Sequence, residues 1–286
     1  MPQPSDRYAV IGHPVAHSRS PDIHRRFAAQ CDQAMEYTRL PAPADGFERV
    51  AREFFDCGGA GLNVTLPFKQ AAFELADRLS ERAERAGAVN TLMATGDGLF
   101  ADNTDGAGLV ADLVDNLAVN IAGRRLLILG AGGAVRGVVP SLLAAGAARI
   151  TIANRSPDKA RAIAAACADM GEVVACGLNA APDDAELVIN AISAGLTEAA
   201  MPAIDARILA RAVAVYDMIY ADTPTPFLRW AAAHGVATGR DGFGMLVEQA
   251  AESFALWRGV RPETAPVIAA LRPHFARPHA GRTETL

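Results

Sequence analysis

The segment LLILGAGGAVRG, residues 126–137, decides the fold that this sequence predicts. A buried strand, a tight glycine turn and a helix, in this order, form the dinucleotide-binding unit of a doubly wound sheet. Gly130 would make the turn, and Gly132 would let a pyrophosphate approach the helix N-terminus. Glycine is also common in plain turns between a strand and a helix, which is the alternative. The flanking strand and helix favour a nucleotide site, formed by Gly130, Ala131, Gly132, Gly133 and Ala134.

The end of the next predicted strand indicates which nucleotide this site takes. That strand ends at Asn154, Arg155 and Ser156, and no carboxylate follows before Asp158. An NAD site usually has Asp or Glu at this point to hold the ribose 2′-hydroxyl, whereas a guanidinium with hydroxyl and amide donors suits a 2′-phosphate. Arg155 alone could be a solvated loop residue. Together with the glycine turn, it favours NADP.

The remaining pattern predicts an α/β protein with two domains and mostly parallel sheet. Apolar runs that are typical of strands alternate with segments of helical periodicity along nearly the whole chain. Pro67 is expected to open a helix after the third strand, and two helices are expected to close the chain. The predicted strands are residues 7–11, 35–40, 61–66, 89–94, 99–101, 125–129, 149–153, 187–190 and 213–217.

The composition limits the partners and the location. The 286 residues carry a net charge of -5, without the basic stripe that nucleic-acid binding needs. No apolar run reaches the roughly 18 residues of a membrane span. The four cysteines show no C-x-x-C spacing, so reduced thiols in a cytoplasm are expected. A homodimer is compatible with these features, although the sequence does not specify an oligomeric state.

Polar residues that could bind a substrate occur in two places outside the glycine turn. Ser18 and Ser20 precede a predicted helix. DNTD at residues 102–105 lies at the end of the first of the two predicted domains. Helix capping and an Asx-rich turn are the ordinary alternatives for these groups. His13 and His17 lie four residues apart, but the intervening proline disfavours a helical metal pair, so no metal is expected.

Lys69 is unusual in this chain because lysine is scarce. The 27 basic residues include only two lysines, Lys69 and Lys159. Arginine serves as well for a fixed charge, but it does not release its proton in a protein, whereas lysine can. The scarcity therefore indicates that Lys69 could be a proton carrier.

Eight short motifs occur in an order that resembles one enzyme family. They are G-x-P-x-x-H-S-x-S-P at 12–21, N-V-T-x-P-x-K at 63–69, A-G-A-V-N-T at 86–91, D-N-T-D-G at 102–106, G-A-G-G-A at 130–134, N-R-S at 154–156, Y-D-M at 216–218 and D-G-x-G-M-L-x-x-Q at 241–249. Together they resemble shikimate dehydrogenase from Tyr8 to about Pro273.

The resemblance implies a reaction and a domain division. The enzyme would reduce 3-dehydroshikimate reversibly to shikimate with NADPH, a step towards aromatic amino acids and chorismate. Residues 1–105 and 242–286 would form the substrate domain, with mostly parallel sheet completed by C-terminal helices. Residues 106–241 would form a Rossmann-like NADP domain, and the active site would lie in the cleft between the two.

The resemblance also implies roles for individual residues. Lys69 and Asp105 would flank the reacting oxygen. The substrate would be held by Ser18, Ser20 and Tyr220 at its carboxylate and by Thr65, Asn90 and Gln249 at its hydroxyls. Met218, Gly242 and Glu81 would lie beside the nicotinamide, in addition to the glycine-turn residues and Asn154, Arg155 and Ser156.

One departure and two alternatives accompany this interpretation. Where the family usually has Asn-Ala-Thr-Ser, this chain has Asn-Ala-Ile-Ser at 190–193, so Ile192 removes a hydroxyl near the expected cofactor face. A quinate/shikimate dehydrogenase that uses NAD or NADP is the alternative within the family. A non-catalytic nucleotide-sensing protein of the same fold is the alternative outside enzymes, but such a protein would not need both Lys69 and Asp105.

Overall fold

A computed structural model describes residues 5–192 and 204–272, and it arranges their strands in two six-stranded sheets. The mixed α/β architecture confirms the predicted fold class, because both sheets are mainly parallel and carry helices. Within the described residues, no helix has the length and hydropathy needed to cross a membrane. Ser193, the last residue of the departing Asn-Ala-Ile-Ser segment, and residues 273–286 lie outside the described residues.

The first sheet has the strand order β2-β1-β3-β5-β6-β4, and this sheet with its helices is called the first unit. β1 is parallel to β2 and β3, and β4 is parallel to β6, whereas β5 runs antiparallel to β3 and β6. The strands are β1 (Asp6–Gly12), β2 (Met35–Pro41), β3 (Gly59–Val64), β4 (Arg78–Leu79), β5 (Thr91–Thr95) and β6 (Gly98–Asp102). The helices between them are α1 (Ser20–Gln30), α2 (Phe47–Asp56), α3 (Lys69–Leu75) and α4 (Glu81–Ala86), and α5 (Asp105–Ala111) follows β6, continued by a π-helical turn (Asp112–Asn116).

The second sheet is parallel throughout, with the order β12-β11-β10-β7-β8-β9, and this sheet with its helices is called the second unit. Its order reverses beside β7, the strand that leads into the glycine turn, which is where such sheets bind nucleotides. The strands are β7 (Arg125–Leu129), β8 (Arg149–Asn154), β9 (Val173–Gly177), β10 (Leu187–Asn190), β11 (Ala214–Asp217) and β12 (Gly239–Asp241). The helices are α6 (Gly133–Ala144), α7 (Pro157–Ala166) and α8 (Pro226–Ala233), and short 3-10 turns cover Leu178–Ala180 and Ala206–Leu209.

Two last helices, α9 (Phe243–Arg258) and α10 (Ala265–Leu271), pack on the first unit rather than on the sheet that precedes them. Their apolar face forms one cluster with α1, in which Phe27 from α1 and Phe243 and Phe254 from α9 are fully buried. α9 therefore brings residues from near the end of the chain to the carboxyl edge of the first sheet.

One predicted helix boundary is wrong in a way that matters for Lys69. The sequence predicts a helix from Pro67, but Pro67 and Phe68 form a turn and α3 begins at Lys69. The reason is a hydrogen bond from the Phe68 N–H back to the Thr65 carbonyl, 3.0 Å long, which closes the turn before the helix starts. Lys69 is thus the first residue of α3, directly after that turn.

Candidate active site

Strand topology brings four separate segments of the first unit to one edge of its sheet. The carboxyl ends of the parallel strands β1 and β3 meet there, followed by the turns that carry Ser18 and Thr65. β5 is antiparallel to β3, so its first residue, Thr91, pairs with Asn63 near the end of β3 and places Asn90 at the same edge. Thr91 also pairs with Asp102 at the end of β6, which adds the start of α5.

Lys69 and Asp105 form an ion pair at this edge. The Lys69 ammonium donates to Oδ2 of Asp105, and the two side chains are only 16% and 8% exposed. The other carboxylate oxygen, Oδ1, accepts from Nδ2 of Asn90 at 2.9 Å. The backbone N–H of Asp105 donates to Oδ1 of Asn103 at 3.2 Å, which fixes the backbone that carries the carboxylate.

The carboxamide of Asn90 connects this ion pair to two further elements. Its Nδ2 lies 2.8 Å from Oγ1 of Thr104 and 3.1 Å from Oε1 of Gln249 on α9. Its Oδ1 accepts from the Thr104 backbone N–H at 2.8 Å and from the Thr91 hydroxyl at 2.9 Å. Asn90, which is almost fully buried, therefore holds Asp105 and Gln249 in fixed relation.

The two serines lie together in residues 13–20, which run from the end of β1 to the first residue of α1 and are called the serine loop below. The Ser18 hydroxyl donates to the Ser20 hydroxyl at 3.2 Å, and the Ser20 backbone N–H donates to Oγ of Ser18 at 3.3 Å. Thr65 packs beside this loop, because its methyl group occupies the space that a side chain on Gly12 would need. The site thus has neighbouring hydroxyl groups that can meet a polar substrate.

Tyr220, from the second unit, packs against the cluster of α1 and α9 and lies near Arg19. Arg19, between the two serines, is 3.8 Å from the carboxylate of Asp222, two residues after Tyr220. Burial raises the pKa of the Tyr220 hydroxyl, while the positive charge of Arg19 partly offsets this shift. The hydroxyl therefore stays protonated near neutral pH and can donate a hydrogen bond, with its ring packed edge-on against Phe243.

The glycine turn after β7 has the shape of a phosphate cradle. Gly130 has a φ of 110°, and a Cβ there would lie 3.1 Å from the backbone of Ala191. By contrast, a Cβ on Gly132 or Gly133 would meet no protein atom within 4 Å, so the space in front of α6 is open. The first N–H groups of α6 have no acceptor within the helix, which suits an anion.

The end of β8 carries donors rather than a carboxylate. Asn154 donates through Nδ2 to the Ser156 carbonyl at 2.9 Å, and the side chains of Arg155 and Ser156 are exposed. The next carboxylate, Asp158, is paired with Arg161 one helical turn further on. The donor set therefore fits a 2′-phosphate beside the glycine turn.

Two predicted cofactor residues lie in backbone contact, and a third stands apart. Gly242 donates its N–H to the Ile219 carbonyl at 3.1 Å, and a Cβ on Gly242 would overlap the carbonyl of Met218. Glu81 is exposed at the start of α4, and its side chain forms no hydrogen bond or ion pair with any other described residue. The structure thus brings Met218 and Gly242 together and leaves Glu81 uncommitted.

Comparisons with known proteins show which family the chain resembles. Family models match in three parts: a shikimate dehydrogenase substrate-binding domain at residues 10–92, a shikimate/quinate 5-dehydrogenase model at 112–216 and a shikimate 5'-dehydrogenase C-terminal domain at 242–272. The chain is 55% identical to a shikimate dehydrogenase (NADP(+)) from Alkalilimnicola ehrlichii, over 94% of this chain and 99% of that protein.

The chain belongs to the shikimate dehydrogenase family.

Two solved structures are similar over nearly the full chain. One is an Ael1 enzyme from Pseudomonas putida, with 46% identity, a TM-score of 0.88 and coverage of 93% of this chain and 98% of that one. The other is shikimate 5-dehydrogenase from Thermus thermophilus in complex with NADP(H) and shikimate, with 34% identity, a TM-score of 0.82 and the same coverages. Membership of the shikimate dehydrogenase family is therefore supported by sequence and by fold.

Sequence reasoning missed a buried polar network beneath the shikimate dehydrogenase motifs. Asn63 accepts at Oδ1 from the Tyr37 hydroxyl at 2.7 Å and lies 3.2 Å from Nε2 of His24, while its Nδ2 donates to Ser253 at 2.9 Å. Burial lowers the pKa of His24 to about 3, so this imidazole is neutral and donates through Nε2. The available signal was Asn63 itself, a polar residue in the otherwise apolar strand β3.

Ile192, which stands where the family usually has threonine, is in apolar surroundings. The Ile192 side chain packs against the apolar cluster on one side of the second sheet, and its N–H donates to Oδ1 of Asn190 at 3.2 Å. A threonine hydroxyl at this position is thus replaced by apolar contact.

Replacing Asn90 should test whether its amide donor holds the site together. In Asn90→Asp, a carboxylate oxygen would face Asp105 and the carbonyl oxygen of Gln249 in place of an N–H. We expect a loss of about 2–3 kcal/mol in unfolding free energy near pH 8. The loss should shrink towards pH 5, because protonation of one carboxyl restores a donor and removes the repulsion.

Urea unfolding followed by tryptophan fluorescence at several pH values would measure this difference. Asn120→Asp is the matched control, because Asn120 is exposed and uses mainly its carbonyl oxygen, which accepts from the Ala122 N–H at 3.1 Å. A destabilisation that does not vary with pH would contradict the proposed arrangement around Asn90.

Proposed function

We propose that the chain catalyses the reversible NADPH-dependent reduction of 3-dehydroshikimate to shikimate, a step of aromatic amino acid biosynthesis. The observation that carries this proposal is the buried ion pair of Lys69 and Asp105, held by Asn90 at the sheet edge where the serine loop begins. A proton carrier beside hydroxyl donors is what reduction of a polar cyclic ketone requires. The family membership of the chain supports the same reaction.

The domain division is proposed as residues 1–105 with 242–286 for the substrate and 106–241 for NADP. The packing of α9 against α1 supports the return of the chain to the first unit. The second sheet and its helices form cores of their own, which supports a separate NADP domain.

A homodimer in the cytoplasm is also part of the proposal. The four cysteines are all unpaired, which supports a reducing compartment. Analytical ultracentrifugation would test the dimer.

NADP fits the second unit at both of its phosphate positions. The open space in front of α6 would take the pyrophosphate against Gly132 and Gly133, and Arg155 with Ser156 would hold the 2′-phosphate. The other cofactor contacts would come from Gly130, Ala131, Ala134, Asn154, Met218, Gly242 and Glu81. When bound, the reduced cofactor supplies the hydride.

The residues of the first unit would orient the substrate and move one proton. Ser18, Ser20 and the protonated Tyr220 would donate to the substrate carboxylate, and Thr65, Asn90 and Gln249 would hold ring hydroxyls. During reduction, the Lys69 ammonium would donate a proton to the carbonyl oxygen as negative charge develops there. Asp105 would keep the ammonium aimed at that oxygen. In the reverse direction, neutral Lys69 would accept the proton.

Two other functions are distinguished by substrate and cofactor. A quinate/shikimate dehydrogenase would act on a substrate with one more ring hydroxyl, and a nucleotide sensor would bind nucleotide without turnover. We expect the purified chain to consume NADPH with 3-dehydroshikimate and to show much weaker reduction of NAD⁺ with quinate. Efficient turnover of quinate would favour the first alternative, and nucleotide binding without any turnover would favour the second.

Lys69→Arg should separate proton transfer from charge. Arginine keeps the positive charge beside Asp105 but does not exchange its proton, so we expect kcat to fall about 100-fold or more, nearly as far as in Lys69→Ala. Steady-state kinetics in both directions would measure this. Lys159→Arg, a substitution of the chain's other lysine, is the control and should keep wild-type kcat. If Lys69→Arg retained a tenth of the activity, Lys69 would act only through its charge.

Arg155→Ala should weaken the binding of NADPH selectively. Loss of a charge-assisted contact to the 2′-phosphate is expected to raise KM for NADPH about 10- to 100-fold. KM for NADH, which lacks this phosphate, should change little. Arg161→Ala is the matched control, because Arg161 is also exposed and lies nearby on α7. Equal effects of Arg155→Ala on both cofactors would refute the assignment.

A further inference from the structure

The serine loop is held from outside by an arginine that no motif contains. Arg39, on the edge strand β2, donates from Nε at 3.0 Å and from Nη2 at 2.6 Å to the backbone carbonyl of Ser18. The serine loop itself contributes few backbone hydrogen bonds, one of them from the Ser18 N–H to the Val15 carbonyl at 3.1 Å. The planar guanidinium, with both donors on one acceptor, therefore fixes the direction of the Ser18 backbone.

The positive charge of Arg39 is not neutralised within the part of the chain that the structure describes. Its Nε and Nη2 are bound to a carbonyl, and no carboxylate of residues 5–192 or 204–272 lies in ion-pair distance. The other cations near the serines form ion pairs with carboxylates: Arg19 pairs with Asp222, and Lys69 pairs with Asp105. Arg39 thus places a net positive charge against the backbone of Ser18, whose hydroxyl, like that of Ser20, is neutral.

An anionic substrate group needs such a charge at this end of the site. The hydroxyls of Ser18 and Ser20 can donate hydrogen bonds to a carboxylate, but they carry no charge to attract it, and the chain as a whole carries a net charge of -5. A guanidinium near the surface raises the local concentration of anions and stabilises a bound carboxylate, in a manner that salt weakens. Nη1 of Arg39 donates to none of the described residues and remains free for this purpose.

We propose that Arg39 is a specificity-determining residue, which supplies next to Ser18 the charge that selects a carboxylate-bearing substrate over its neutral analogue. This inference rests on the proposed function, because it takes shikimate as the ligand whose carboxylate meets Ser18 and Ser20. It adds a residue from β2 to the residues proposed for the substrate carboxylate, Ser18, Ser20 and Tyr220.

The test compares charged and neutral ligands in charged and neutral variants. Arg39→Gln keeps an amide donor and removes the charge, and Arg39→Lys keeps the charge. Oxidation of shikimate and of its methyl ester would be measured with NADP⁺ at low and high KCl. We expect Arg39→Gln to raise KM for shikimate about tenfold, leave kcat within about threefold, and change KM for the ester and for NADP⁺ by less than about twofold.

Two further results are expected from the same series. Arg39→Lys should restore KM for shikimate to within about threefold of the wild type, because the charge is kept. The fall of kcat/KM with added KCl should be weaker in Arg39→Gln than in the wild type. Arg26→Gln, which removes an exposed arginine of α1 that forms no ion pair with a described residue, is the control and should match the wild type.

Each contrary result has a separate meaning. If Arg39→Gln raised KM for the ester as much as for shikimate, or if Arg39→Lys were as impaired as Arg39→Gln, the proposed charge selection would be overturned while the proposed function stood. If the wild type oxidised neither compound, the proposed function would fail, and the assignment of Arg39 would fail with it.

Discussion

The hydrogen bonds of the Asn90 carboxamide are the constraint on which the site depends. The carbonyl oxygen accepts from the Thr104 N–H, and the amide nitrogen donates towards Asp105 and Gln249. An amide has a donor end and an acceptor end, so this arrangement sets which atoms face which neighbours. Because the group is buried, a rotated amide would leave both ends opposed to like partners, at a cost that its surroundings could not relieve. The direction of Asp105, and through it that of Lys69, follows from Asn90.

Chain patterning predicted the bounds of individual strands better in the second unit than in the first, although it missed two of the six strands of the second sheet. β7 and β10 have their predicted bounds, and β8 extends only one residue further, because parallel strands covered on both faces are continuous apolar runs. β4, β9 and β12 were not predicted: β4 and β12 have two and three residues, and β9 is a half-exposed edge strand. Short or half-exposed strands owe their conformation to neighbours that a local pattern does not contain.

The residues of the site also differ in whether a local sequence pattern predicts them. Those that lie within local motifs, such as Lys69, could be predicted from the sequence. The network around Asn63 could not, because its partner Ser253 is 190 positions away and its partner His24 lies on a helix whose other buried residues are mainly apolar. Arg39 belongs to the same class, since its contact with Ser18 depends on the register of β2 beside β1. Long-range pairing of polar groups leaves no periodic trace in the sequence.

Gly106 and Gly108, in the DNTDGAG segment, allow close packing between helices, which an Asx-rich turn alone would not require. A Cβ on Gly106 would overlap the Ser141 side chain of α6, and a Cβ on Gly108 would lie 2.6 Å from the backbone nitrogen of Gln249 on α9. Neither glycine has a positive φ, so backbone freedom is not the reason for them. They allow α5 to approach a helix of each unit closely. The same short helix that begins with Asp105 therefore sets the distance from the ion pair to Gln249 on one side and to the glycine-turn helix on the other. Proton transfer and hydride transfer must meet at one carbon–oxygen bond, and α5 is the element through which both sets of residues are spaced.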